Sequence, residues 1–242
     1  MLVEICCGSY EDGINAYKAG AKRIELNSAL FLGGLTPSLA SLKLLKKETD
    51  LTIICMVRPR GGGFHYTDKE VIQMFNEAKD LLDNGADGIA FGFLNEDFSI
   101  DLDKTKKMVE LIHSYNKKAV FHRAFDLCIN YNQAIKTLID LKIDRVLTSG
   151  TKNTVMEGKE VIKELVAKYG NDIEILAGCG VNKDNAKDLV IETKVNQIHS
   201  SCKTNIEDCT TSNNTVSYAY NGSDTYEVVS KELVEGLLKV FQ

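Results

Sequence analysis

The chain has 242 residues, near the usual size of one (β/α)8 barrel and long enough for a full core, so one domain spanning 1–242 is favoured over two. Hydrophobic residues make up 44% and charged residues 26%, the balance of an ordinary folded protein without a disordered or low-complexity block. A formal net charge of −5 leaves no basic footprint for nucleic acid or an anionic membrane, and MLVEICC lacks the basic and apolar regions of a signal peptide; with no stretch long enough to span a bilayer, the cytoplasm is the expected location.

Short β-rich runs alternate with longer segments of helical period, the pattern of a parallel sheet with crossover helices. Residues 2–6 read as the first strand, in which alternation sends Leu2, Glu4 and Cys6 to one face and Val3 and Ile5 to the other. The aliphatic pair should meet the helices, which turns Glu4 and Cys6 toward the barrel interior. A helix over 10–19, closed by Gly20, leads to a strand over 23–26, where Arg23, Glu25 and Asn27 oppose Ile24 and Leu26. Pro37-Ser38 opens a helix over 38–47. The third strand, 52–57, runs into Arg58-Pro59-Arg60 and three glycines, a bend whose two fixed positive charges suit an anionic ligand or else pair with local acids.

Thr67 or Asp68 caps a helix over 68–84, with Glu70 close behind and Gly85 closing it. After a strand over 88–91 and a helix over 101–115, the strand over 118–122 delivers His122 and Arg123, with Asp126 three residues on. An apolar strand buried on both faces rarely ends in charge unless the charge is used. Helices over 132–141, 155–169 and 183–191, the last capped by Asn182, alternate with strands over 145–148, 174–177 and 197–199. Those three strands end in Thr148-Ser149-Gly150, Gly178-Cys179-Gly180 and His199-Ser200-Ser201. A long polar connection, 203–223, precedes a last helix over 225–241.

Eight strand–helix units predict a TIM barrel, an expectation reinforced by the recurring passages GAKRIEL, GADGIAF and LKIDRVL at helix-to-strand junctions. The charged strand ends then share one face. Glu4 and Glu25, if buried, need cationic or donor partners, for which Arg58, Arg123 and His122 are the candidates. Such residues form either a sealed ion-pair network or a functional site, with Glu4, Glu25 or His122 as acid or base. Arg58, Arg60, Arg123 and Asp126 are candidates for an anion site. Barrels often hold phosphate on the amides of the late loops, which adds Ser149, Gly150, Gly178, Gly180, Ser200 and Ser201, although glycines there also serve tight turns.

Seven cysteines (Cys6, Cys7, Cys55, Cys128, Cys179, Cys202, Cys209) form no CxxC pair, so reduced thiols are expected rather than a disulfide framework or zinc ribbon. Cu(I) calls for two or three converging sulfurs. Cys6 points inward, and Cys202, just past the eighth strand, neighbours the first strand once the barrel closes. Cys55 and Cys128 read as small buried hydrophobes.

The passages EICCGS, GAKRIELN, GGLTPS, VRPRGGGFHYTD, FHRAFD, RVLTSG, AGCGV and HSS, in that order and spacing, resemble the CutC family of copper homeostasis proteins from Leu2 to about Cys202, and more weakly beyond. The resemblance implies a cytoplasmic TIM-barrel homo-oligomer, a dimer or tetramer, that binds copper(I) through cysteines and has no assigned reaction. The family's first-strand cysteine falls on Cys6, whereas the cysteine often found directly after RIEL is replaced by Asn27, whose amide cannot stand in for a thiolate on Cu(I). Cys202 and His199 are the candidates to complete such a site. Three readings follow: Cu(I) binding or trafficking, a TIM-barrel enzyme on a small anionic or phosphorylated substrate, and a scaffold whose 203–223 connection recruits a protein partner.

Overall fold

Eight short strands, each buried on both faces, have one way to satisfy their backbones without an exposed edge, and that is to close on themselves. The computed structural model describes residues Met1–Gln242 and shows this closure, as a parallel barrel of β1 (Leu2–Cys7), β2 (Arg23–Leu26), β3 (Thr52–Met56), β4 (Gly88–Phe91), β5 (Lys118–Phe121), β6 (Arg145–Thr148), β7 (Glu174–Ala177) and β8 (Gln197–Ser200) in sequential order. The crossover helices are α1 (Tyr10–Lys18), α2 (Leu39–Glu48), α3 (Asp68–Asp83), α4 (Leu102–Ser114), α5 (Tyr131–Asp140), α6 (Lys159–Tyr169) and α7 (Ala186–Thr193), with α8 (Lys231–Lys239) at the C-terminus. The fold is the predicted (β/α)8 TIM barrel.

Strand alternation divides the molecule into two cores. Outward residues such as Val3, Ile5, Ile24, Leu26, Ile53 and Phe91 join the helices in one continuous apolar layer, which carries most of the stability at about 1.5–3 kcal/mol per large side chain. Inside the barrel the apolar content is small, and Ile54, Met56, Ala90 and Val120 form a separate plug. Much of the remaining interior is polar. At the N-terminal end, Arg145 pairs with Glu174 at 2.7 Å, Gln197 donates to Glu174 at 2.8 Å, and Arg23 donates to the Gln197 amide oxygen at 2.7 Å. These groups floor the barrel, so the space for chemistry lies at the opposite, C-terminal end.

The predicted caps at Ser38 and Thr67 are present, the latter as a full capping box with Glu70, and Gly20 and Gly85 have positive φ at the ends of α1 and α3. Other boundaries differ from expectation. Helix α6 starts at Lys159 because residues 151–158 form bends and turns of the β6–α6 connection, and α7 starts at Ala186 because the Asn182 side chain instead accepts from the amides of Asp184 and Asn185 in a preceding turn. The 203–223 connection and the start of the predicted last helix are largely a β-hairpin, in which β9 (Lys203–Glu207) pairs antiparallel with β10 (Thr225–Val229). TYEVV carries the β-branched and aromatic residues that favour a strand, and Ser230 caps α8 by accepting from the Leu233 amide. The hairpin is tied to the barrel by Val229, whose amide donates to Asp12 at 2.7 Å.

Candidate metal centre

Register brings the polar interior residues together. Glu4 is level with Arg23 on β2 and with His199 on β8, and Cys6 is level with Glu25. Glu4 is 2% exposed and its Oε2 lies 2.6 Å from Arg23 Nε and 3.8 Å from Arg145 Nη1, while Oε1 lies 2.9 Å from His199 Nδ1. Burial pushes the Glu4 carboxyl up, but the bond from His199 and the charges of Arg23 and Arg145 outweigh it and hold the group at about 2. Glu4 is therefore a fixed anion and a poor proton acceptor. The expected partners Arg58, Arg123 and His122 do not reach it. Arg23 and Arg145 serve instead; they share Glu4's inward side and stand at the starts of their strands, a signal readable from RIEL and RVLT.

The other ring nitrogen of His199 faces a second group. Cys6 Sγ, Glu25 and His199 each present a ligand atom, and these lie within 4.8 Å of one another. Glu25 Oε2 is 3.9 Å from His199 Nε2 and 3.8 Å from the Cys6 thiol. Asn27, also on β2's inward side just past the strand, donates through Nδ2 to Glu25 at 3.0 Å and to Cys6 Sγ at 3.6 Å. Asn27 thus orients the other two.

Burial pushes the Cys6 thiol up to about 11 despite His199, and raises Glu25 even though the His199 charge opposes it. Burial alone would lower His199; hydrogen bonds with Cys6 and Glu4 and the charge of Glu25 hold it well above the ordinary imidazole range.

A second wall stands on the β5 loop. His122, 3% exposed, caps a 3₁₀ turn at Arg123–Leu127, with its Nδ1 accepting from the Ala124 amide at 3.1 Å. A backbone N–H only donates, so the proton of neutral His122 sits on Nε2, which has no protein partner. Burial, then the charges of Arg58 and Arg123, push His122 down to about 3. In this setting it is a neutral imidazole whose free Nε2–H donates, which fits a donor better than a base. Its ring packs on Gly92, where an added Cβ would come within 2.6 Å of Cε1.

Cys6, Glu25, Arg58, His122, Arg123 and His199 line one cavity of about 230 Å³ at the barrel mouth, together with Asn27, Gly33, Met56, Phe64 and Leu147. Other sequence candidates lie elsewhere. Arg60 pairs with Glu70 at the start of α3. Asp126 binds Arg123, the Thr148 and Ser149 hydroxyls and the amides of Ser149 and Thr151, so it builds the loop. The Gly150 amide donates to the Thr148 hydroxyl, the Gly178 amide to the Thr148 carbonyl and the Ser200 hydroxyl to the Val181 carbonyl; with those donors engaged and Gly180 and Ser201 off the cavity, the expected phosphate cradle is not assembled there. Cys202 is absent from the cluster, since it belongs to the outer apolar layer with its thiol 3.4 Å from the Ser200 hydroxyl. It lies beyond the strand's regular alternation, at a positive φ of 43°.

The whole cluster falls inside residues 1–204, the span matched by the model of the CutC family. The chain belongs to the CutC family. A CutC family protein of Treponema denticola is 44% identical over 241 residues, 98% of this chain and 97% of that one. A CutC family protein of Glaesserella parasuis is 36% identical over 240 residues, covering 99% and 98% of the two chains. The crystal structure of a Streptococcus agalactiae CutC, named for copper homeostasis, is similar with a TM-score of 0.78 at 31% identity, over 83% of this chain and 98% of that one. Phosphoribosyl anthranilate isomerase of Pyrococcus furiosus shares the fold alone, with a TM-score of 0.60 at 14% identity over 99% and 98% of the chains. No helix of this CutC is long and apolar enough to cross a membrane.

Proposed function

We propose that this CutC protein binds Cu(I) inside its barrel through Cys6 Sγ and His199 Nε2, with Glu25 beside them, and that it handles copper in the reducing cytoplasm as a homo-oligomer. The observation that carries the reading is the 2.9 Å contact between Glu4 and His199 Nδ1. Metal-bound histidines characteristically give their second ring nitrogen to a carboxylate, which fixes the ring and raises the basicity of the ligating nitrogen. A thiolate and an imidazole are donors suited to Cu(I), whereas a carboxylate is hard, so Glu25 is the weakest of the three and Asn27 positions rather than ligates. Binding requires the Cys6 proton and the His199 Nε2 proton to leave, and Glu25 stands within 4.0 Å of both groups.

Seven free thiols scavenge copper indiscriminately, so the test is a contrast between variants. In anaerobic competition against a chromophoric Cu(I) chelator, Cys6→Ser should abolish stoichiometric binding while Cys128→Ser and Cys202→Ser leave it unchanged. Equal losses in all three would remove the reading.

A further inference from the structure

The barrel mouth carries a positive charge that the copper reading leaves unexplained. Arg58 is 5% exposed, and its guanidinium donates to the carbonyls of Leu32, Gly34 and Gly62 and stacks 5.0 Å from the Phe64 ring. No carboxylate approaches it within the 4.0 Å of an ion pair, in contrast to Arg23, Arg145, Arg60 and Arg123. A buried charge without a counter-charge costs several kcal/mol, and carbonyl dipoles fix such a cation without neutralising it. The same cavity is lined by His122, whose buried Nε2–H lacks an acceptor, and by Arg123, whose Nε and Nη2 are engaged while Nη1 has no protein partner.

We propose that this cavity binds a small organic monocarboxylate, held by the charge of Arg58, the Nη1 of Arg123 and the Nε2–H of His122. One uncompensated cation, Arg58, with the spare Nη1 of the Asp126-paired Arg123 and a neutral imidazole donor complement a single planar anion, and a neutral histidine held in one tautomer donates without competing for the ligand's proton. About 230 Å³ equals about eight water volumes, which limits the ligand to at most roughly ten non-hydrogen atoms. A phosphoryl group is disfavoured because the Ser149, Gly150 and Gly178 amides are engaged within the protein and Gly180 and Ser201 lie off this cavity. The site stands without copper, since none of the three binding groups belongs to the Cys6, Glu25 and His199 cluster.

The test uses the metal-free 242-residue chain labelled with 15N-histidine, titrated with acetate, glycolate, pyruvate and inorganic phosphate. The expected result is saturable 1:1 binding of at least one carboxylate that moves the His122 Nε2–H resonance. Removing a hydrogen bond to a charged group weakens binding roughly tenfold to a hundredfold, the loss expected for His122→Asn. Asparagine can still accept from the Ala124 amide, so the cap survives while the donor is withdrawn. Arg123→Gln, on the half-exposed rim, should weaken binding in the same direction and replaces His122→Asn if that variant does not fold. Cys6→Ser should bind the carboxylate like the wild type, which separates this site from the copper reading. Absence of saturable carboxylate binding, unchanged affinity in the folded variants, or preference for phosphate would overturn the proposal.

Discussion

Replacing Glu4 by Gln keeps the volume of the side chain and removes the carboxylate that Arg23, Arg145 and His199 share. Holding a buried carboxyl at about 2 against its ordinary 4.5 corresponds to about 3 kcal/mol of folding stability. Removing one partner of a buried pair costs about 3–5 kcal/mol, so the two routes agree. Because the folded-state value is depressed, the contribution is complete above the unfolded value and fades as pH falls toward the folded one, a window from about pH 5 to about pH 2. Urea unfolding of the metal-free protein, followed by far-UV circular dichroism, should therefore find Glu4→Gln less stable than the wild type by about 3 kcal/mol at pH 7, with the gap narrowing by about pH 3. A difference below about 1 kcal/mol at pH 7, or a gap independent of pH, would refute the assignment of Glu4 as the electrostatic hub.

Two further substitutions probe the supports of the site. Gly34 has a φ of 87°, and a Cβ there would lie 2.5 Å from Asn27 Oδ1, so Gly34→Ala should cost about 1–3 kcal/mol by thermal denaturation and weaken copper binding by displacing Asn27; unchanged stability and affinity would mean that Asn27 is not held in this way. Replacing the exposed hairpin tip, residues 208–222, with a two-residue turn should change stability by less than about 1 kcal/mol and leave Cu(I) affinity intact, because the anchors at Asp12 and Asn15 remain. Loss of copper binding in that variant would make the hairpin part of the site.

Much of the barrel was legible because its signals are local. Alternation in LVEIC and RIELN identified the inward Glu4, Cys6, Glu25 and Asn27, and the end of KAVFH identified His122 as a mouth residue. Partnership was not legible, because it depends on register between strands far apart in sequence: Glu4 meets Arg23 and His199 only after closure. Arg58 and Arg60 look alike in VRPRGGG, yet a single change of direction in the loop sends one to the cavity and the other to Glu70. Cys202 was named from barrel closure alone, which sets it near β1 but does not turn it inward, and it joins the outer apolar layer; β9 was hidden because its five residues are all exposed and carry no apolar periodicity.

In the proposed site one sulfur and one imidazole hold the metal. X-ray absorption at the copper edge, on protein loaded anaerobically with one equivalent of Cu(I), measures this directly. The expected spectrum shows a single sulfur bound to copper with imidazole scattering from His199, and loss of the sulfur in Cys6→Ser. Two or more sulfurs, or a spectrum indifferent to Cys6→Ser and His199→Ala, would contradict it.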